Sequence, residues 1–298
     1  MIISASRRTD VPAFYSEWFL NRLEEGYVLV RNPMNYNQVS RVMLTSQKVD
    51  CIVFWTKNPA NMLDKLCRLS EYKYYFLITV TGYGDAIERN VPNKDVIVES
   101  FRALSERIGS ERTVWRYDPI ILTDTFDTEY HRRNFHKLAC ELSGYTEKCI
   151  ISFVDIYKKC RRNMEGLNMV PFDADKMTEV AEKLSKIAAA YDIKMETCCE
   201  SVDLAYTGIQ HGKCIDAGLI SKITGQNVKI RKDKNQRDLC GCAASIDIGA
   251  YNTCKHGCLY CYANYSDKMV AENVLRHDFK SSMLVGEIRP EDRVTERY

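Results

Sequence analysis

Toward its C-terminal end the chain reads Cys254-Lys255-His256-Gly257-Cys258-Leu259-Tyr260-Cys261, three cysteines at C-x3-C-x2-C spacing. Three thiolates can hold three irons of a 4Fe-4S cluster and leave the fourth iron open, because a closed site needs a fourth cysteine. An open iron can bind and activate a substrate. The same ligand type suits structural zinc, whose cysteine pairs stand two to four residues apart. Cys240-Gly241-Cys242 taken with Cys258 and Cys261 would supply four thiolates for such an ion. The x3-x2 spacing, with the aromatic Tyr260 just before the last cysteine, favours the cluster, and His256 reads as a loop residue.

A second group remains once that motif is assigned: Cys198, Cys214, Cys240 and Cys242, with Cys199 as the alternative to Cys198. Four thiolates suit either a closed zinc site or a second iron-sulfur cluster, and spacing does not choose between them. Cys51, Cys67, Cys140, Cys149 and Cys160 lack metal spacing and read as core or surface residues. The full count of 13 cysteines in 298 residues is odd, and the chain has apolar residues enough for a core without disulfides, so metal or redox chemistry is the expectation. Lys and Arg (42) nearly balance Asp and Glu (40), which gives no general reason to expect a nucleic-acid coat or membrane-surface binding. No run approaches the apolar length of a membrane span, and no charged segment leads into an apolar leader, so the expected location is cytoplasmic.

These cysteines need a frame, and the order of elements supplies one. Strand-like runs at 2–6, 51–55, 74–80, 113–117, 149–154, 194–198 and 245–249 alternate with helical periodicity at 14–23, 61–69, 96–108, 130–142 and 175–190. Several runs are apolar on both faces, as parallel strands covered on both sides are. Residues 27–45 interrupt the pattern with two short strand-like pieces around Asn32-Pro33 that read as a hairpin. No glycine-rich phosphate loop follows the first strand, so a TIM-like (β/α) barrel, complete or partial, is preferred to an open doubly wound sheet. The division expected is a β/α barrel over residues 1–210 and a cysteine-rich segment over 211–298 that carries the last barrel strand and the motif.

Polar residues gather where the strands end: Arg7, Arg8, Thr9 and Asp10; Thr56, Lys57 and Asn58; Thr79, Thr81 and Tyr83; Arg116 and Asp118; Asp155 and Tyr157; Glu196 and Glu200. Parallel strands bring all of these to one rim, where barrel active sites lie. Some must be helix caps, as Asp10 before Val11-Pro12 and Asn58 before Pro59 suggest. The stretch 229–237, with Lys229, Arg231, Lys232, Lys234 and Arg237 against Asp233, reads as a solvated loop, and without aromatics it makes no stacking platform for nucleic acid.

The C-x3-C-x2-C run with Tyr260 closely resembles the radical S-adenosylmethionine (radical SAM) enzymes. In that superfamily the open iron chelates the amino and carboxylate groups of SAM, and an electron from the cluster cleaves it to a 5′-deoxyadenosyl radical. The superfamily's motif follows the first barrel strand, whereas here it stands late. A circular permutation accounts for this if the strand at 245–251 takes the first strand's place and lies beside 2–6. Two strand ends, Phe54-Trp55-Thr56-Lys57-Asn58-Pro59 and Trp115-Arg116-Tyr117-Asp118-Pro119, look like those of the spore photoproduct lyase branch. With Cys198-Cys199-Glu200, Lys232-Asp233-Lys234-Asn235-Gln236-Arg237, Cys240-Gly241-Cys242 and Asn252-Thr253, they resemble a bacterial radical SAM family whose motif is C-terminal, over essentially the whole chain.

That resemblance implies a queuine lyase activity, the radical-mediated release of preQ1 from queuine in queuosine salvage. The partners it implies are a small 7-deazaguanine-type base as substrate and a reductase, flavodoxin or ferredoxin as electron donor. Arg7, Arg8, Lys57, Arg116 and Tyr260 would then hold SAM. Carboxylates are needed for the secondary amine and the guanine-like edge, and Asp118, Asp155 and Glu200 are the residues expected in the chemistry, with Glu196 a further acidic candidate. Two rivals stand beside this reading: a zinc-stabilised binding protein, and a radical SAM lyase acting on a nucleic-acid lesion.

Overall fold

In the computed structural model, residues 1–155, 158–227 and 231–297 are described, so Tyr157 and Lys229 lie outside the described residues. Strand β1 (Ile2–Ala5) leads into the short helix α1 (Val11–Phe14) and then α2 (Ser16–Glu24). Asp10 caps α1 by accepting from Ala13 N at 2.9 Å, ahead of the proline at the helix start, as its sequence position suggested. The hairpin β2 (Tyr27–Arg31) and β3 (Gln38–Met43) follows, antiparallel as expected from the sequence.

Next come β4 (Cys51–Thr56), a 3-10 helix (Ala60–Leu69), β5 (Tyr74–Thr79), α3 (Lys94–Ile108), β6 (Thr113–Ile120), α4 (Thr128–Leu142) and β7 (Lys148–Phe153). The chain continues through α5 (Lys158–Met164), α6 (Ala174–Ala190), β8 (Lys194–Thr197), β9 (Gln210–His211), α7 (Ala217–Thr224), β10 (Ile246–Asp247), α8 (Asp267–Leu275) and β11 (Arg293–Arg297).

Eight strands form one parallel sheet in the order β10-β1-β4-β5-β6-β7-β8-β9. The late strand lies beside the first, with Ile3 opposite Ile246 and Ser4 opposite Asp247. From β1 onward the spatial order is the chain order, with no reversal and so none of the switch point of a doubly wound sheet. Among the described residues β10 and β9 are the two edges and no ladder joins them, so ring closure is not seen. A separate three-stranded sheet holds β11, β3 and β2.

Strand alternation explains how both faces of the large sheet become buried. Ile3, Ile52, Phe54, Phe76, Ile78, Trp115, Tyr117 and Ile151 point toward one side, where they pack with Phe101 and Leu104 of α3, Phe135 and Leu138 of α4 and Leu184 of α6. Each such side chain removed from water contributes roughly 1.5–3 kcal/mol. Ile2, Val53, Tyr75, Leu77, Val114 and Ile150 point to the other side, where Cys214, Ile215, Ile220, Cys240, Cys242 and Ala243 cover them. That second cover comes from the loops and α7 between β9 and β10, so the cysteine-rich segment is built against the sheet.

Candidate metal centre

The loop leaving β10 carries Cys254, Cys258 and Cys261 past the end of the sheet at which β1 delivers Arg7, Arg8 and Asp10. Several bonds fix its course. Tyr15 Oη donates to Thr253 O at 2.6 Å, Asn264 Nδ2 to Cys254 O at 2.8 Å, and Asn252 N to Ala263 O at 2.9 Å. On its other side the segment after β5 clamps it: Asn90 N donates to His256 O and Leu259 N to Ile87 O, both at 2.9 Å. Gly257 adopts φ +63°, the left-handed conformation that lets the loop turn between the first two cysteines.

His256 is buried and donates through Nε2 to Asp10 Oδ2 at 2.8 Å, while its Nδ1 has no hydrogen-bond partner among the described residues. It serves the loop's position, as the sequence suggested.

The three thiols lie near enough for their charges to act on one another, and none is hydrogen-bonded to another. Burial pushes all three up, Cys258 to about 12 even with Lys57 beside it, so they keep their protons at neutral pH until a cation displaces them. Backbone N–H groups of Ala263 and Asn264 point at the Cys261 sulfur, as N–H groups do at ligating thiolates. Among the described residues no three Cys, His, Asp or Glu side chains are drawn around a single point as one bound ion would hold them. Thiolates on separate irons are spread more widely than ligands of one ion, and three thiols without a fourth in the loop fit a cluster with one open iron.

The centre of the polar network here is Glu88, which sequence reasoning missed. Its Oε1 accepts from Lys57 Nζ at 2.7 Å, Thr81 Oγ1 at 2.9 Å and Tyr260 Oη at 2.5 Å, and Lys94 Nζ pairs with Oε2. Burial alone would raise this carboxyl, but Lys57 and Lys94 overcome it and hold it down to about 2. A backbone bridge sets Glu88 directly against Cys258. Lys57 and Tyr260, both expected to hold a cofactor, are thus brought together, with the ammonium 5.5 Å from the ring centre. Glu88 lies outside any regular element, and only its position after the third strand of the β/α series could have marked it.

The other rim residues separate into groups. Arg7 and Arg116 both stack on Trp55, at 5.2 and 4.9 Å from its ring centre. Arg116 pairs with Asp118, which also accepts from Ser152 Oγ, so Asp118 is engaged within the rim. Arg8 is half-exposed, 3.9 Å from Asp247 and 5.3 Å from the Tyr251 ring centre. A cavity of about 430 Å³ opens here, lined by Arg7, Arg8, Ser245, Asp247, Tyr251 and Tyr262 among others. Glu200 accepts from Phe153 N at 2.9 Å, and burial raises its carboxyl to about 7. Asp155 is exposed and pairs with Arg237, and Glu196 is held by Lys148 at 3.1 Å.

Residues 2–263 match the family described as a domain of unknown function, DUF1848. The chain belongs to the DUF1848 family. No curated protein matches it. Among solved structures it is similar to a Bacteroides thetaiotaomicron protein described as "a putative alpha-L-fucosidase", at 10% identity and a TM-score of 0.27, over 61% of this chain and 75% of that one. The DUF1848 match takes in every rim residue above and all three motif cysteines, and it leaves α8 and β11 outside.

Within the DUF1848 match the second cysteine group also assembles. Cys214 donates to Cys198 across 3.3 Å, and hydrogen bonds link Cys214 to Cys242 and Cys242 to Cys240. Cys199, at φ +61°, lies outside that run. Cys240 and Cys242 therefore join Cys198 and Cys214, and the alternative that shared them with Cys258 and Cys261 is not what the chain builds. Among the described residues no helix is long and apolar enough to cross a membrane.

Proposed function

We propose that this chain is a radical SAM enzyme whose parallel sheet is a circularly permuted partial barrel. The observation that carries the reading is the placement of three thiols, the buried Cys258 and the partly buried Cys254 and Cys261, on the loop that leaves β10, with β10 seated beside β1. Counting β10 first makes the sheet run in order from the motif strand onward, which is the arrangement the resemblance implies. These thiols would hold a 4Fe-4S cluster, which when bound supplies an open iron for SAM and the electron that cleaves it to a 5′-deoxyadenosyl radical.

The chain's own residues have defined tasks in this reading. Glu88 fixes Tyr260 and Lys57 beside the cysteine loop and sets a counter-charge against both lysines. Arg8, half-exposed at the cavity and held only by long contacts, is the rim cation best placed to take a carboxylate. Glu200, after β8, accepts from Phe153 N through one oxygen and would offer the other to a donor of a nitrogen-rich base, while Asp118, two strands away on β6, is held by Arg116 and Ser152 and would position Arg116. Burial of Cys258 and Glu88 limits the access of water to this side of the loop. The substrate we propose is queuine, released as preQ1, with electrons delivered by a flavodoxin, ferredoxin or their reductase.

The test is anaerobic purification and reconstitution with iron and sulfide, followed by an assay for 5′-deoxyadenosine from SAM under reduction. A brown protein with about four irons at the open-site cluster that forms deoxyadenosine supports the reading, and Cys258→Ala should abolish the product. Untouched SAM after reconstitution would withdraw it. Queuine is then supplied, and preQ1 release distinguishes a queuine lyase from a radical enzyme with another substrate.

A further inference from the structure

We infer that Cys198, Cys214, Cys240 and Cys242 form a closed four-thiolate zinc centre that fastens the cysteine-rich segment to the face of the sheet that carries Val53, Leu77, Val114 and Ile150. The inference does not depend on the radical reading. It begins with convergence from distant parts of the chain. Cys198 follows β8, Cys214 follows β9, and Cys240 and Cys242 lie in the loop before β10, yet one run of thiol–thiol hydrogen bonds joins them.

Each backbone around them is anchored. Tyr75 Oη donates to Cys214 O at 2.6 Å, Asp233 N to Cys242 O at 2.9 Å, Ala243 N to Ile215 O at 2.9 Å, and Ile215 N to the Cys242 sulfur at 3.4 Å. The side chains face a buried apolar layer containing Val53, Leu77, Val114 and Ile150.

The short sulfur–sulfur contact favours zinc. Tetrahedral zinc with Zn–S bonds of about 2.3 Å sets its sulfurs about 3.8 Å apart. A cubane cluster holds each thiolate on a different iron and separates them further. The Cys198 and Cys214 sulfurs at 3.3 Å are in contact, whereas no hydrogen bond joins Cys254, Cys258 and Cys261. The four are linked in series and not yet closed about a point, so binding needs side-chain rotation on fixed backbones.

Charge supplies an independent argument. Four thiolates on a divalent ion carry a double negative charge, which is costly to bury without compensation. Arg7 and Arg116 flank the group, each close enough for its charge to act on Cys214 and Cys242. Arg7 Nη2, Arg116 Nε and Trp55 Nε1 are buried and have no hydrogen-bond partner among the described residues. Such orphaned donors are expensive unless an acceptor is provided, and metal-bound thiolates are acceptors. Two guanidiniums and an unpaired indole N–H beside four thiols make a site prepared for an anionic metal centre.

The test uses the full chain purified in air with the first motif removed, C254S/C258S/C261S, beside the wild type. Elemental analysis of both should find about one zinc per chain, and adding C240S/C242S should lower it more than tenfold. Zinc K-edge absorption on the wild type, which needs no variant to fold, should show four sulfurs at about 2.3 Å. Iron in place of zinc in the motif-free variant, zinc that survives C240S/C242S, or a nitrogen- and oxygen-containing shell would each overturn the inference. Zinc retained while SAM goes uncleaved would refute the radical reading and leave this one standing.

Discussion

Asp10 and His256 are hydrogen-bonded at 2.8 Å across 246 positions of sequence, and the same carboxylate accepts from Ala13 N at 2.9 Å and Lys57 N at 2.7 Å. One buried side chain thus ties the start of α1, the end of β4 and the cysteine loop. Replacing it by Ala removes a helix cap and leaves two further buried donors without an acceptor. We expect Asp10→Ala to lose about 3 kcal/mol by urea unfolding and to lower iron uptake on reconstitution. Asp10→Asn keeps one acceptor oxygen and should lose less. Equal losses in the two variants would show that the carboxylate does not act as this tie.

Glu88 is the stabilising counter-charge for two buried lysines. Glu88→Gln keeps its shape and removes its charge, leaving Lys57 and Lys94 as unpaired neighbours of like sign. Breaking a buried pair from one side costs about 4 kcal/mol. Adding Lys94→Met to Glu88→Gln should recover part of that loss, because one of the two stranded charges goes with it. A double variant no more stable than the single would mean that the cost lies in packing and not in charge.

Six strands of the β/α series were legible as short apolar runs and four helices from their 3.6-residue period, because both patterns state which residues are buried; the fifth helical stretch, at 61–69, is wound as a 3-10 helix. The position of β10 beside β1 was legible only from the cysteine motif, since two ladder pairs leave almost no periodic signal. Strand β9 escaped because Gln210 and His211 are both exposed and polar. Residue type and spacing singled out both cysteine groups as candidates, but left Cys198 and Cys199 as alternatives, and only the fold shows that Cys198 is the one hydrogen-bonded to Cys214. Glu88 could not, because its role is made by Lys57, Lys94, Thr81 and Tyr260 arriving from four separate places, and no local pattern announces that meeting.

Gly249 marks a close approach between β10's exit and β1's. A Cβ there would stand 2.1 Å from Ser6 Oγ and 2.7 Å from Ser6 Cβ, and Ser6 is itself held by Asp247 at 2.7 Å. The strand ends must therefore separate to admit a methyl group. Gly249→Ala should cost about 2 kcal/mol by overpacking, and Ser6→Gly in the same chain should return most of it. No rescue by Ser6→Gly would place the strain elsewhere.

His131 gives the fold a pH dependence of calculable sign. It is fully buried in α4, with Nε2 donating to Ile121 O at 2.8 Å and Nδ1 2.9 Å from Tyr117 Oη, an arrangement that suits the neutral ring. Burial lowers its pKa to about 4, although the Ile121 carbonyl and Asp127 act the other way. The unfolded chain takes up this proton near pH 6.5, so between about 6.5 and 4 the unfolded state binds more protons and stability falls as pH falls. From pH 8 to pH 5 the loss from this residue should be about 2 kcal/mol. His131→Gln will be less stable at every pH, but its profile should be flatter over that interval by the same amount. Urea unfolding of both chains at pH 8, 6.5 and 5 measures the difference, and parallel profiles would show that His131 is not the group that titrates.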